Sequence, residues 1–365
     1  MADKAEKSRR PDDTPFKQQR MAAWQPILTP IKVIIMFLII GVIFVPVGVT
    51  LLDSSKEIYE KTIVYDGDDT DVDGCKIKNT NEGAECSITF NIGEDVEGPV
   101  YVYYELENFY QNHRRYVKSR SAAQLEGENL DKSDVSSDCD PLYKNHSLLL
   151  NPCGLIANSL FNDVISLDNS SGYSMDEKGI SWLSDRKVKF NNVDGFKKVQ
   201  HSNASASCVE VMGSEKYADC KVYVDSDGST WFYWYPDDDK VQYLHESYPM
   251  VVSPIEGVEN EHFIVWMRTA GLPTFRKLYG KIDKDLNKGD TLTFHISLNF
   301  EVNSFDGSKA IVISNLGEFG GKNSFLGISY IVVGSISLFL GVLFAVKQVV
   351  SPRQLGDTRY LGWST

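Results

Sequence analysis

Twenty consecutive residues, Val33–Leu52, carry no charged side chain. A helix rising about 1.5 Å per residue makes this run about 30 Å long, the thickness of a bilayer's hydrocarbon core. A second apolar run, Phe325–Val346, lies near the other end. Two such spans divide the chain into a tail (1–32), a span (33–52), a large loop (53–324), a span (325–346) and a second tail (347–365). The loop belongs on one side of the membrane and both tails on the other. A secretory signal peptide would have a shorter apolar region followed by a small-residue cleavage site. Val49-Thr50-Leu51-Leu52-Asp53 follows instead, so the first run reads as a retained signal-anchor. Pro46 removes one backbone bond within it and predicts a kink.

Charge orients the spans. The first 32 residues hold seven Lys/Arg against four Asp/Glu, and the chain after Val346 holds three against one. The total is −13, so the loop carries −18. Basic flanks place both tails in the cytoplasm and the acidic loop in the lumen or outside the cell. Such a loop offers no basic surface to neutralise phosphates, which excludes nucleic acid as a partner.

All six cysteines (75, 86, 139, 153, 208 and 220) lie in the loop. An even number on the oxidising side of a membrane points to disulfides. Six cysteines allow 15 connectivities. Sequence order gives three compact pairs, Cys75–Cys86, Cys139–Cys153 and Cys208–Cys220; these are the expected bridges, although spacing leaves other pairings open. Closing loops of this length contributes roughly 3 kcal/mol each in the chain-entropy model. Zinc would call for C-x-x-C or clustered histidines, and the chain has neither. Sequons at Asn145, Asn169 and Asn203 make glycosylation available at each; two of the three are expected to be used.

Residues Met1–Pro15 are polar and without periodicity, which predicts disorder. Phe16–Pro30 (FKQQRMAAWQPILTP) interleaves basic and apolar residues, and Pro26 and Pro30 prevent one continuous helix into the membrane. It reads either as an interfacial anchor or as a docking segment for a cytoplasmic partner, with Phe16, Arg20, Trp24 and Pro26 as contacts. In Tyr65–Gly74, Asp69, Asp71, Asp73 and Gly74 match the first half of a calcium loop, but Thr80 stands where the bidentate acid is required. A solvated acidic turn is the expectation there.

Strand signals dominate the loop. Ser87–Ile92, Val100–Leu106, Ser229–Tyr235, Phe263–Ala270 and Lys309–Ser314 read as strands. Thr291–Val302 alternates apolar even positions with polar odd ones over twelve residues, which predicts a strand with one buried face; Lys309–Ser314 is expected beside it. Glu107–Ser119 reads as a polar helix or extension and Leu155–Asp163 as one or two helical turns. Lys132–Asp140 is expected to be a loop and Asn191–Ser207 a polar excursion between strands. The fold class is therefore a two-span membrane protein with a mainly antiparallel, sandwich-like β ectodomain carrying short helical insertions. In the spans, Gly327, Gly334 and Gly341 recur every seven residues, as do Gly41 and Gly48. That spacing keeps small residues on one face, where another helix approaches closely; the partner is either the other span or another protein.

Catalytic patterns are missing. The chain contains no Walker loop, H-E-x-x-H, G-x-S-x-G or dinucleotide-binding glycine motif. Its six histidines do not share ligand spacing. Runs such as Asp237-Asp238-Asp239 read as solvated turns. The spans hold no Asp, Glu, Lys, Arg or His, which argues against an ion path or an oligomeric channel through them. No enzyme activity, cofactor or metal is expected.

Six stretches resemble the non-catalytic β-subunits of phospholipid-flippase P-type ATPases, the ligand-effect-modulator or cell-division-control family. They are FKQQRMAAWQPILTP (16–30), NFYQNHRRYVKSR (108–120), NPCGLIANSLFND (151–163), GISWLSDRKVKFN (179–191), FIVWMRTAGLPTFRKLYGKI (263–282) and GGKNSFLGISYIVVG (320–334). These long strings run in this order from the cytoplasmic tail into the second span, so the resemblance extends over nearly the whole chain. The resemblance implies an obligate catalytic ATPase that moves phospholipid from the outer to the cytoplasmic leaflet. It also implies a role in carrying that ATPase out of the endoplasmic reticulum, toward Golgi, endosomal or plasma membranes, in a competent state. Cys75, Cys86, Cys139 and Cys153 match the family's cysteines. The competing expectation is a stand-alone receptor or carbohydrate-binding ectodomain, in which the aromatic run Trp231–Tyr235 would stack on sugars. Core packing of those rings and a stoichiometric co-purifying subunit distinguish the first reading from the second.

Overall fold

The computed structural model describes residues 11–23, 28–67, 70, 72, 74–168, 170, 172–317 and 319–352. It divides into two compact units, one holding the two span helices and the other Ser55–Lys322.

Each span forms a helix of 27 residues, Pro30–Lys56 and Ser324–Val350. Both are longer than their apolar runs because polar residues continue the helix at the ends. The first continues through Pro46 without a break, and the Thr50 hydroxyl donates to the Val47 carbonyl at 2.9 Å. Asn323 caps the second by accepting from Phe325 N at 3.0 Å. The glycines of the two spans face each other. A Cβ on Gly48 would stand 2.8 Å from the Gly327 carbonyl oxygen, and one on Gly327 would stand 3.0 Å from that of Gly48. Gly334 meets Val45 and Gly341 meets Leu38 in the same way. The seven-residue repeat thus serves the contact between the spans. The other faces remain apolar and exposed, as at Ile39, Ile43, Phe339 and Val346.

Thirteen strands build the second unit: β1 (Glu60–Asp66), β2 (Ala84–Asn91), β3 (Val100–Glu107), β4 (Lys144–Asn145), β5 (Leu148–Asn151), β6 (Val164–Leu167), β7 (Lys197–Gln200), β8 (Lys221–Val224), β9 (Thr230–Trp234), β10 (Val241–Tyr243), β11 (Phe275–Ile282), β12 (Thr291–Leu298) and β13 (Ser308–Ser314). Two antiparallel sheets, ordered β1-β13-β3-β11 and β2-β12-β6, contribute to one core. On β12 the even residues Leu292, Phe294, Ile296 and Leu298 are fully buried, and His295 on the other face shares a 2.8 Å hydrogen bond with Ser87. Smaller sheets, β10-β5-β4 and β7-β9-β8, cover the insertions; among the described residues only β10–β5 is a parallel pair. Disulfides join Cys75–Cys86, Cys139–Cys153 and Cys208–Cys220, with Cα separations of 5.3, 5.7 and 5.7 Å.

Several elements differ from the sequence reading. Phe263–Ala270 is not a strand: Glu261–Met267 is a helix. Asn260 caps it by accepting from Phe263 N, and Phe263, Ile264, Trp266 and Met267 form a buried helical face that outweighs β propensity. Lys132–Asp138 is a helix rather than a loop, anchored by fully buried Val135 and closed by the Cys139–Cys153 bridge. The excursion 191–207 contains β7, paired with β9. Strand β13 lies between β1 and β3 instead of beside β12; both its faces are buried, so its apolar run carries no alternation to identify a sheet.

The glycine contact gives a direct test. Gly48→Leu forces the spans apart and is expected to cost about 1–3 kcal/mol of packing. Cysteines placed at Phe44 and Tyr330, whose rings are 5.0 Å apart, should then cross-link severalfold less under oxidation than in the parent protein. An unchanged yield would show that the glycines are not what holds the spans together.

Candidate functional site

The helix Glu261–Met267 is the hub on which four of the resembling stretches meet. Glu261 at its start accepts from Gly179 N, Ser181 N and the Ser181 hydroxyl, at 2.9, 2.9 and 2.8 Å, and pairs with Arg186 at 2.9 Å. Burial raises its carboxyl, but these donors together hold it below the usual range. At the other end Lys277, from β11, donates to the carbonyls of Val265 (3.1 Å), Trp266 (2.8 Å) and Arg268. A cation there satisfies carbonyls that a helix terminus leaves unpaired. Burial, with the nearby Arg268 charge, pushes Lys277 down to about 7. Trp266, fully buried, donates from Nε1 to the Ile156 carbonyl at 2.8 Å.

The remaining stretches fasten to the same hub. Arg268 donates from Nε to Asp185 at 2.6 Å, and its guanidinium lies 4.6 Å from the Trp182 ring centre. Burial raises Asp185, while bonds from Arg268 and Lys189 lower it further, leaving it ionised below the usual range. Gln111 accepts from Ala270 N at 2.8 Å, and Asn112 donates to the Gly271 carbonyl at 2.9 Å. Tyr116 shares a 2.8 Å bond with Ser159, and Ser119 Oγ accepts from Leu155 N at 3.0 Å. Gly154, at φ +101°, packs directly against the Ser119 carbonyl, where a side chain cannot fit.

Seen from solvent, one side of this junction carries arginine and aromatic side chains, while at Glu261 it opens on a cleft of about 830 Å³ lined by Glu177, Asp225, Asp227, Glu256 and Glu259. The stretch 53–324 contains six arginines (114, 115, 120, 186, 268 and 276), and every one falls within 108–120, 179–191 or 263–282. Arg268 lines two neighbouring clefts, one of about 320 Å³ with Trp182, Arg276 and Lys277 and one of about 540 Å³ with Arg120 and Lys189. Trp182, Leu183 and Leu272 are between 57% and 69% exposed. Composition alone hid this face, since the loop is strongly acidic as a whole. Counting arginines by position would have revealed it.

The buried ionisable groups are committed to structure. Lys309, Asp66 and Asp163 are fully buried. Asp163 accepts from Lys309 Nζ (2.7 Å), Tyr65 OH (2.9 Å), Asn299 N (2.5 Å) and Phe300 N (2.6 Å). Asp66 has Lys309 at 3.3 Å. Burial raises its carboxyl by more than Lys309 lowers it. In the second core cluster, burial and the Lys221 charge push His245 down to about 4, so it is neutral between Tyr233, Tyr235 and Tyr243. Phe232, Tyr233 and Tyr235 are buried, and the half-buried Trp234 donates to Asp219. The aromatic run is thus largely core rather than a sugar platform. No group of three or more metal-ligating side chains occurs among the described residues.

The other sequence-predicted positions are dispersed. Phe16 is 77% exposed, and Arg20 pairs with Asp13. Trp24, Pro26, Asn169, Asp69, Asp71 and Asp73 lie outside the described residues. Asn145 and Asn203 are exposed. Gly327, Gly334 and Gly341, expected to contact a partner, are buried against the first span, because their missing side chains let its backbone approach.

Asp66 yields a pH test. Its folded pKa lies above its unfolded value, so folding takes up a proton between the two. The associated stability is full at low pH and is lost as pH rises through the folded pKa. Asp66→Asn should stabilise the full-length protein at pH 7–8 by about 1–3 kcal/mol and flatten the pH dependence of its Tm. A variant less stable than the parent at pH 8 would show that ionised Asp66 is needed beside Lys309.

Comparison with known proteins agrees with this geometry. Residues 35–354 match the model of the LEM3 (ligand-effect modulator 3) family / CDC50 family. The chain is 41% identical over 357 residues to mouse "Cell cycle control protein 50A", covering 94% of this chain and 90% of the relative. It is 39% identical over 366 residues to "ALA-interacting subunit 3" of Arabidopsis thaliana, covering 98% and 91%. It is 31% identical over 396 residues to "Phospholipid-transporting ATPase accessory subunit CRF1" of Saccharomyces cerevisiae, covering 98% and 90%. Full-length matches at this level, together with two apolar helices flanking an antiparallel β unit, establish that this two-pass membrane protein belongs to the LEM3/CDC50 family.

Proposed function

We propose that this protein is the non-catalytic accessory subunit of a phospholipid-transporting P-type ATPase. The observation that carries this reading is the near full-length match to relatives named for that role. Geometry supports it. The hub's carboxylates and cations are bonded to one another or to backbone, so they stabilise the scaffold rather than face a substrate. The subunit's contribution is binding energy, and it shifts the pump's conformations only by its difference in affinity for them.

Three surfaces are proposed for the catalytic subunit. The arginine and tryptophan face would meet its lumenal loops, since Arg and Trp dominate interface hot spots. The outward faces of the spans would pack on its helices, a task reassigned from Gly327, Gly334 and Gly341. The segment containing Phe16, Arg20, Trp24 and Pro26 would dock on its cytoplasmic side. Both tails would be cytoplasmic, with the loop in the lumen or outside, as the basic flanks support. The oxidising compartment suits the three disulfides. Glycans would occupy two of the three sequons at Asn145, Asn169 and Asn203. The complex would leave the endoplasmic reticulum for Golgi, endosomal or plasma membranes.

Phospholipid-stimulated ATP hydrolysis by the candidate ATPase, with and without this protein, is the decisive measurement. The expected result is a several-fold loss of activity and of delivery beyond the reticulum when the subunit is missing. Arg20→Ala with Trp24→Ala should weaken the complex while the ectodomain stays folded. Equal rates and equal delivery with and without the subunit would overturn the reading. Topology is tested separately: protease outside sealed microsomes should clip only the tails, and digestion of residues 53–324 would reverse the orientation.

A further inference from the structure

The glycine register that joins the spans stops before one end. Counting by seven along the second span gives Gly327, Gly334, Gly341 and then Gln348. Counting back along the first gives Gly48, Gly41 and then Ile34. Gly341 still touches Leu38, and Phe37 meets Phe344 edge-on at 5.9 Å. One step further, Ile34 and Gln348 stand where the repeat calls for small residues, and side chains of that size keep the backbones apart. A crevice of about 240 Å³ opens there. Leu28, Pro30, Val33, Ile34 and Phe344 form its apolar wall, and Lys347, Gln348 and Ser351 contribute its polar groups.

We propose that this crevice binds an anionic phospholipid from the leaflet at that end of the spans. An acyl chain suits the apolar wall. The Lys347 ammonium is the partner for the phosphate, and the Gln348 amide and Ser351 hydroxyl supply donors for ester carbonyls. Charge complementarity selects the lipid class. Lys32, beside Val33, adds a second ammonium at the same end, and both tails carry a basic surplus. A zwitterionic lipid would fill the wall equally well, but its own choline offsets its phosphate, so only an anionic headgroup brings these cations a net counter-charge.

The test uses the full-length protein alone, so its result is independent of any ATPase. The protein in mild detergent is titrated with phosphatidylserine or phosphatidylcholine, and bound lipid is counted by native mass spectrometry. Phosphatidylserine should bind at least roughly fivefold more tightly than phosphatidylcholine, as expected for one juxtamembrane ammonium. Lys347→Glu should reduce that preference severalfold. Gln348→Gly, which extends the small-residue register, should close the crevice and lower occupancy by both lipids. Equal binding of the two lipids by the parent protein, or an unchanged preference in Lys347→Glu, would overturn the proposal. So would a gain of lipid on replacing Trp24 and Ile27 by Ala, which would assign the crevice to the chain's own N-terminal segment.

Discussion

One buried carboxylate holds the β unit together. Asp163 ends the NPCGLIANSLFND stretch and accepts from the backbone of Asn299 and Phe300, from Tyr65 on β1 and from Lys309 on β13. Asn299 and Phe300 follow β12 directly, so one side chain fastens both main sheets. A buried ion pair is weak evidence for net stability, because desolvation offsets its attraction. What it supplies here is register. Removing Lys309 leaves Asp163 buried without a cation, at a cost of about 3–5 kcal/mol, so misaligned arrangements of the two sheets are penalised. Lys309 also donates to the Phe300 carbonyl at 2.5 Å, which closes the same junction from the other side.

The spans follow a different logic. In lipid, apolar side chains gain nothing by leaving one helix face for another, so association depends on close packing. The five glycines supply it, and each is placed where a Cβ would collide with the opposite helix. Because these contacts lie between the protein's own spans, the pair behaves as a preassembled unit. A larger membrane partner then meets a surface of Ile, Val, Leu and Phe side chains rather than the glycine seam.

Much of this architecture was legible in sequence, and the exceptions share a cause. The spans and the long alternating strand have patterns that run far enough to identify themselves, and β2, β3 and β9 are marked by β-branched and aromatic residues. The helix at 261–267 did not, since seven residues rich in Phe, Ile, Val and Trp fit a strand equally well. Its helical signals were Asn260 as cap and the buried set 263, 264, 266 and 267. The placement of β13 was unreadable because a strand buried on both faces has no alternation. The resembling stretches pointed to the family but not to one another. That Glu261 and Arg268 hold 179–191, Trp266 holds 151–163 and Ala270 holds 108–120 is a property of tertiary contacts between residues up to 159 positions apart, as with Gln111 and Ala270.

That gathering also explains how an acidic body can present a basic face. Two carboxylates at the arginine side of the hub are drawn inward: Asp185 is buried beneath Arg268, and Glu261 is occupied by two backbone amides, a hydroxyl and Arg186. Arginine outside them keeps part of its guanidinium free, and Trp182 lies beside Arg268 with two thirds of its surface exposed. The rest of the loop remains acidic. A protein with opposite potentials on different faces repels a like-charged partner in most orientations and admits it in one. Such patterning contributes orientation and association rate more than affinity. For a subunit whose task is to accompany one large membrane protein, orientation is the requirement, and a scaffold that buries its acids beneath its arginines meets it without any catalytic group.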